Sequence, residues 1–323
     1  MAADARHAIW QISFGDYSLI VKVYHPKSDR YYQHRWRREE RSLDLLERVA
    51  PGLTPRLHAA VLAPGAFAAV AMENLGTESL ATRLERVSSS ERIQWLHRAL
   101  SVLADFRQAA AHQQGMLRAL AFQSDLDRIT RNTVERRLAI AIARLRDPTQ
   151  TIEPNASPRR LGLGLPWQDL DAGIVTPLIH APRRVVHNGF SPLNLIARPD
   201  DRLAVIDWET LAVAAPAVDA ADLLTFPGFR LEPEAIDEHA RGTTLNGSGT
   251  SESHEFWAAA AERSLTYAAT AAVREKRTSK FANPDYPARR RWYLSMFGDA
   301  LKRLSLDSAA QRRIRDAVSG LDR

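Results

Sequence analysis

The chain has 323 residues, 45% hydrophobic and 25% charged, with a formal net charge of +6 and no cysteine. Such a length allows two lobes or domains, and the composition is ordinary for a globular protein. The lack of cysteine excludes a disulfide framework and thiolate chemistry, no apolar run nears the ~18 residues of a membrane span, and Met1 to His7 has no secretory apolar core, so cytoplasmic residence is the default.

In chain order, Ile9–Phe14 and Ser18–Tyr24 alternate as strands around a Gly15-Asp16 turn. Lys22 lies inside the second, in L-I-V-K-V-Y, where burial is costly without an anionic partner. A snorkelling edge-strand lysine is the bland alternative. A basic stretch, Arg35 to Arg41, opens a helix reaching about Val49, and Pro51-Gly52 ends it. Leu57–Val61 and Phe67–Met72 are two further strands, followed by Glu73-Asn74-Leu75. Ser88-Ser89-Ser90-Glu91 is a capping-box start for a helix carrying Ile93, Leu96, Leu100 and Leu103, and Gly115 suits its end. A second helix spans about Ser124 to Arg146. Asp147 to Pro166, with four prolines, is a loop, and Leu161–Leu165 lacks the strand and third glycine of a dinucleotide fingerprint.

The most informative stretch is Val185–Glu209, V-V-H-N-G-F-S-P-L-N-L-I-A-R-P-D-D-R-L-A-V-I-D-W-E. A β-branched run leads to His187. A polar loop follows, with Ser191, Pro192 and Asn194. Leu195–Ala197 and Leu203–Ile206 then flank the turn Arg198–Asp201 as a hairpin, and Asp207 comes directly after it. A side-chain amide and a carboxylate placed together can hold Mg²⁺, which takes oxygen ligands and few protein groups. Phosphoryl transfer depends chiefly on such positioning and charge neutralisation.

This stretch resembles the catalytic and metal-binding segments of the aminoglycoside phosphotransferase family, small-molecule relatives of the protein kinases. The family pattern is His-x-Asp-x-x-x-x-Asn, a hairpin, then a metal-binding Asp. His187, Asn194 and Asp207 fall on it, but Gly189 stands where the family has its catalytic aspartate. The resemblance covers about residues 9 to 305. It implies an α+β, two-lobed, protein-kinase-like fold. A small antiparallel-sheet N-lobe would occupy residues 1–75 and a larger, mainly helical C-lobe residues 76–323. The family's first strand and Gly-rich loop are not visible.

The same resemblance implies site roles. Lys22 would hold the α- and β-phosphates of ATP or GTP, and Glu39, or failing that Glu40, would pair with it. Met72-Glu73-Asn74-Leu75 would be the hinge between lobes, whose backbone groups meet the adenine edge, with Glu73 and Leu75 as the nucleotide-binding candidates. Asn194 and Asp207 would bind Mg²⁺, and Asp219 would brace the catalytic loop. His187 would orient that loop, with a general-base role as the alternative. From Glu209 to His239 there are seven acids and one base. In the family such acids line a cleft for cationic substrates, so Glu209, Glu232 and Glu234 are cleft candidates, and a solvated helix face is the alternative. Beyond them, 242–253 is a Gly/Ser/Thr-rich loop, and Glu255–Arg274, Tyr286–Leu304 and Ser308–Leu321 are closing helices.

The expected activity is therefore ATP- or GTP-dependent phosphorylation of a hydroxyl on a small polar molecule, aminoglycoside-like or another metabolite. It is weakened because a general base is typically worth ~10²–10⁴-fold. Glu209 or Asp201 could substitute for the missing acid. The alternative is a kinase-like protein that binds nucleotide or ligand without turnover. A third reading gives Arg35–Arg41 to nucleic acid. It is disfavoured because the positive charge is spread along the chain.

Overall fold

A computed structural model describes residues 7–15, 17–26, 31–113, 115–116, 118, 129–150, 152, 164–243, 249–277 and 285–319. The chain forms two compact units. One comprises Met1–Arg128 with Arg184–Val213, and the other Ile129–Arg183 with Ala214–Arg323.

The first unit is built on four antiparallel strands, β1 (His7–Phe14), β2 (Tyr17–Tyr24), β3 (Leu57–Ala63) and β4 (Phe67–Glu73), in the order β1-β2-β4-β3. Gly15 takes φ +60° at the β1–β2 turn, where a side chain would be strained. Asp16 lies outside the described residues. The register pairs Ile9 with Lys22 and Lys22 with Val70. Because side chains alternate across a sheet, Lys22, Tyr24, Ala68, Val70 and Met72 share one buried face. Helix α1 (Tyr32–Val49) packs on β2, β3 and β4, burying Leu43, Leu45 and Leu46, and begins three residues earlier than the basic stretch indicated. Trp36 donates its indole N–H to the Ala69 carbonyl at 2.9 Å.

After β4 come α2 (Leu80–Leu84) and α3 (Ser89–His112). The expected capping box is present. Ser88 accepts from the Glu91 N–H, and Glu91 accepts from the Ser88 N–H. Helix α3 buries Leu96, Leu103 and Phe106, and ends three residues before Gly115. β5 (Arg184–Val186) pairs with β8 (Ala212–Ala214), and β6 (Leu195–Ala197) pairs with β7 (Leu203–Val205) in the expected hairpin.

The second unit is helical: α4 (Arg131–Arg146), α5 (Trp167–Leu170), a π-turn (Asp171–Val175), α6 (Thr176–His180), α7 (Ala217–Leu224), α8 (Pro233–Thr243), α9 (Gly249–Arg277), α10 (Asp285–Arg303) and α11 (Ser308–Ser319). Helix α4 is capped by Thr130 through the Thr133 N–H. The earlier start expected at Ser124 lies outside the described residues, as does most of the 147–166 loop. Part of the loop expected over 242–253 is helix, since α9 already begins at Gly249. An alanine-rich stretch over 258–272 gives α9 high helix propensity, and its small buried side chains let α4, α7 and α10 approach closely. Among the described residues no helix is long and apolar enough to cross a membrane.

The reciprocal bonds at Ser88 and Glu91 satisfy two helix-end donors. Ser88→Ala is expected to destabilise the protein by about 1 kcal/mol, read as a lowered urea midpoint with unchanged m-value.

Candidate active site

Strand β5 delivers the chain to His187, which is fully buried. Its Nε2–H donates to the Ile206 carbonyl at 2.9 Å, and its ring meets Trp208 edge-on at 4.6 Å between centroids. Burial pushes its pKa down to about 4, so the imidazole is neutral near pH 7. Asn188 takes the left-handed conformation, φ +61°, and donates from Nδ2 to the Thr210 carbonyl at 3.2 Å. Thr210 Oγ1 donates back to the His187 carbonyl at 3.0 Å. The loop is thus tied to the segment after the hairpin from both sides.

Asn194 ends a 3₁₀ turn, Pro192–Asn194. Its Nδ2 donates to the Gly189 carbonyl at 2.9 Å, directing Oδ1 away from that carbonyl. The hairpin register, Leu195 opposite Val205, then brings Asn194 and Asp207 to the same end, and Ile206 N–H donates to the Asn194 carbonyl at 3.0 Å. Asp207 sits at φ +68°. A non-glycine residue held there costs of order 1–3 kcal/mol and is typical of functional positions.

Three carboxylates converge on the Lys22 amine: Asp207 Oδ1 at 2.5 Å, Glu39 Oε2 at 2.8 Å and Glu209 Oε2 at 3.0 Å. Lys22 is 4% exposed, Glu39 1% and Glu209 2%. Burial by itself would lower the lysine pKa, but the three acids outweigh it and raise it above its usual value, so the amine stays charged. Burial raises the Glu39 pKa, with Lys22 opposing. Asp207 is less buried, and Lys22 holds its pKa low against desolvation. Glu39, not Glu40, therefore pairs with the lysine. The Tyr24 hydroxyl also donates to Glu39.

Glu209 does not line an open cleft. Besides Lys22 it faces Arg35 Nη1 at 3.3 Å and His7 Nδ1 at 3.6 Å. Arg38, itself buried, donates from Nη1 to the Glu209 carbonyl at 2.7 Å, and burial lowers its pKa to about 10. Two members of the basic stretch thus bind the Asp207–Glu209 turn. Sequence reasoning missed Tyr24, Arg35 and Arg38 as site residues. The available signals were the i+2 spacing of Tyr24 from Lys22 and the i+3 spacing of Arg35 and Arg38 on α1.

Gly189 is open to a side chain. A Cβ there would have Thr210 Oγ1 at 3.4 Å, Asn194 Nδ2 at 3.5 Å and His187 Nδ1 at 3.6 Å as its three nearest neighbours, none a carboxylate. Neither suggested substitute acid is directed at this position. Glu209 is held by Lys22 and Arg35, and Asp201 lies in the β6–β7 turn beside Arg83 and Arg98. At the end of β4, the Glu73 carboxylate accepts from the Arg56 N–H at 3.1 Å. Leu75 packs with Ile196, Ala204 and Ile206 in an apolar cluster. Asp219, Glu232 and Glu234 belong to the helical unit. Asp219 is buried in the first turn of α7, Glu232 is exposed, and Glu234 pairs with Arg303 at 2.7 Å.

The depressed His187 pKa has a consequence for stability. On acidification the unfolded chain protonates this imidazole near its ordinary pKa of 6.5, whereas the folded chain resists until about pH 4. Stability should therefore fall through that window, by at most about 3 kcal/mol from this group. Urea titrations at pH 7 and pH 4.5 should show a larger loss for the wild type than for His187→Gln.

No curated protein matches the sequence. Among solved structures, a choline kinase from Streptococcus pneumoniae has a TM-score of 0.53 at 13% identity, over 90% of this chain and 89% of that one. An aminoglycoside 2'-phosphotransferase-IIIa in complex with GDP has a TM-score of 0.57 at 13% identity, over 92% and 95%. A Plasmodium vivax ethanolamine kinase has a TM-score of 0.51 at 11% identity, over 97% and 85%. They share its α+β, protein-kinase-like fold. A family model described as the phosphotransferase enzyme family (APH) matches residues 2–257, and the chain belongs to that family.

Proposed function

We propose that this protein is a nucleotide-dependent phosphotransferase that acts on a hydroxyl of a small polar molecule, and that it is slow because position 189 carries no carboxylate. The observation that supports this most directly is the buried Lys22 amine held by Glu39 and Asp207, beside a hairpin whose register brings Asn194 and Asp207 to the same end. In this reading Lys22 neutralises nucleotide phosphate charge and Glu39 keeps the amine oriented. Leu75 and Ile196 offer an apolar surface for the base. Neutral His187 fixes the loop through Ile206 and takes no part in proton transfer.

Asp207 and Asn194 supply the hard oxygen donors that Mg²⁺ prefers, so the donor set fits that ion. When bound, Mg²⁺ would shield the charge of the transferring phosphate. Nucleotide use is in keeping with the AMP complex of the pneumococcal choline kinase and the GDP complex of the aminoglycoside enzyme. Choline, ethanolamine and aminoglycosides are cationic hydroxyl compounds, and a cationic acceptor is the first class to test. Glu232 and Glu234 are the remaining candidate cleft acids, with Asp219 as loop support. Use of a cellular nucleotide pool and the absence of cysteine suit a cytoplasmic setting.

A second reading, nucleotide binding without turnover, is favoured by two observations: the bare Gly189, and the engagement of Asp207 by Lys22. Nucleotide consumption across a panel of cationic and neutral hydroxyl compounds separates the two. Turnover by the wild type that Asp207→Ala abolishes supports the enzyme. Binding of Mg-nucleotide with no turnover on any acceptor supports the binder. Since a Cβ at 189 meets its neighbours at ordinary contact distances, Gly189→Asp should fold normally and raise turnover about 10²–10⁴-fold.

A further inference from the structure

Position 189 does not need a glycine. Gly15 is required by its backbone, at φ +60°, and Gly173 by packing, since a Cβ there would lie 2.6 Å from Leu306 Cδ1. Gly189 has neither constraint. Its φ is not left-handed, and a Cβ would meet nothing closer than 3.4 Å. The residue is partly exposed. The three atoms nearest to that Cβ position are all polar: the Thr210 hydroxyl, the Asn194 amide nitrogen and a His187 ring nitrogen. Asn194 Nδ2 gives one N–H to the Gly189 carbonyl and has a second to offer. A place lined in this way suits a hydrogen-bonding group rather than an alkyl one. Nor does its surrounding frame repel an anion. Glu39, Asp207 and Glu209 are matched by Lys22, Arg35 and Arg38, and His187 is neutral near pH 7.

We propose, on the phosphotransferase reading above, that the acceptor is a hydroxy acid whose own carboxylate occupies the open place beside Gly189 and serves as the base for its hydroxyl. The chain supplies no such group there, because Glu209 is held by Lys22 and Arg35, and Asp201 by Arg83 and Arg98. A carboxylate carried by the acceptor has the basicity of an aspartate, with an ordinary pKa of about 4. In a 3-hydroxy acid the proton crosses from hydroxyl to carboxylate through a six-membered ring, with the two groups already held together. The hydroxyl oxygen forms its bond to the γ-phosphorus while the bond from that phosphorus to the bridging oxygen breaks. The nucleoside diphosphate leaves with the electron pair, and the acceptor's carboxyl passes the proton to solvent. Gly189 thereby selects acceptors: glycine admits the carboxylate, and an aspartate would repel it. The gain expected for Gly189→Asp then belongs to acceptors without an acid group.

Matched acceptors test this with the full chain, Mg²⁺ and nucleoside triphosphate: ethanolamine against serine, and 1,3-propanediol against 3-hydroxypropionate. The wild type should turn over each acid about 10²-fold faster than its partner, the lower end of what a general base supplies. In Gly189→Asp the order should reverse within both pairs. Calorimetry in the presence of Mg-ADP should show serine bound more tightly than ethanolamine by the wild type, a readout that needs neither turnover nor the variant. Equal rates within the pairs for the wild type, or an acid preference that persists in Gly189→Asp, would overturn the proposal and leave the phosphotransferase reading standing. Turnover of none of the four compounds by either protein, with no preference in binding, would remove both.

Discussion

One buried cation organises the first unit. A lysine amine almost removed from water is tolerated only when opposite charge surrounds it, and Lys22 has three carboxylates within 3.0 Å. They come from α1 and from the turn after the β6–β7 hairpin. Satisfying one amine therefore fixes a strand, a helix and the Asp207–Glu209 turn relative to one another. Such a cluster is weak evidence for net stability, since desolvating several charges offsets much of their attraction.

The turn itself is held by a second layer of contacts. Arg38 takes the Glu209 carbonyl and Arg35 its carboxylate, while Trp208 packs against His187 and Phe106. Asp207 can thus occupy a left-handed conformation that few non-glycine residues hold. His187 contributes by being neutral and buried, with one ring nitrogen on the Ile206 carbonyl. Gly189 carries no side chain in this frame, and a Cβ there would meet its neighbours at ordinary contact distances.

In the helical unit a different buried network plays the organising part. Asp222 accepts from the Tyr267 hydroxyl at 2.7 Å and faces Arg263 at 3.3 Å, while Glu262 lies between Arg263 and Arg137. Burial raises the Asp222 pKa against the pull of Arg263. Around Arg263, Asp222 and Glu262 overcome the desolvation that would lower its pKa. The alanine-rich α9 carries three members of this network, Glu262, Arg263 and Tyr267, into the core on small-residue packing.

The sequence by itself determined the order of elements, the Ser88 capping box, the β6–β7 hairpin and the strand lysine, because these are written in neighbouring residues through periodicity, caps and turn chemistry. It also determined the family, since His187, Asn194 and Asp207 keep a fixed spacing around that hairpin. Only the tertiary structure decided between Glu39 and Glu40, turned Glu209 inward to Lys22, and gave Arg35 and Arg38 to the Asp207–Glu209 turn. Those choices rest on contacts such as Lys22 with Asp207, 185 residues apart, where helix rotation and burial select the partner and local pattern carries no information.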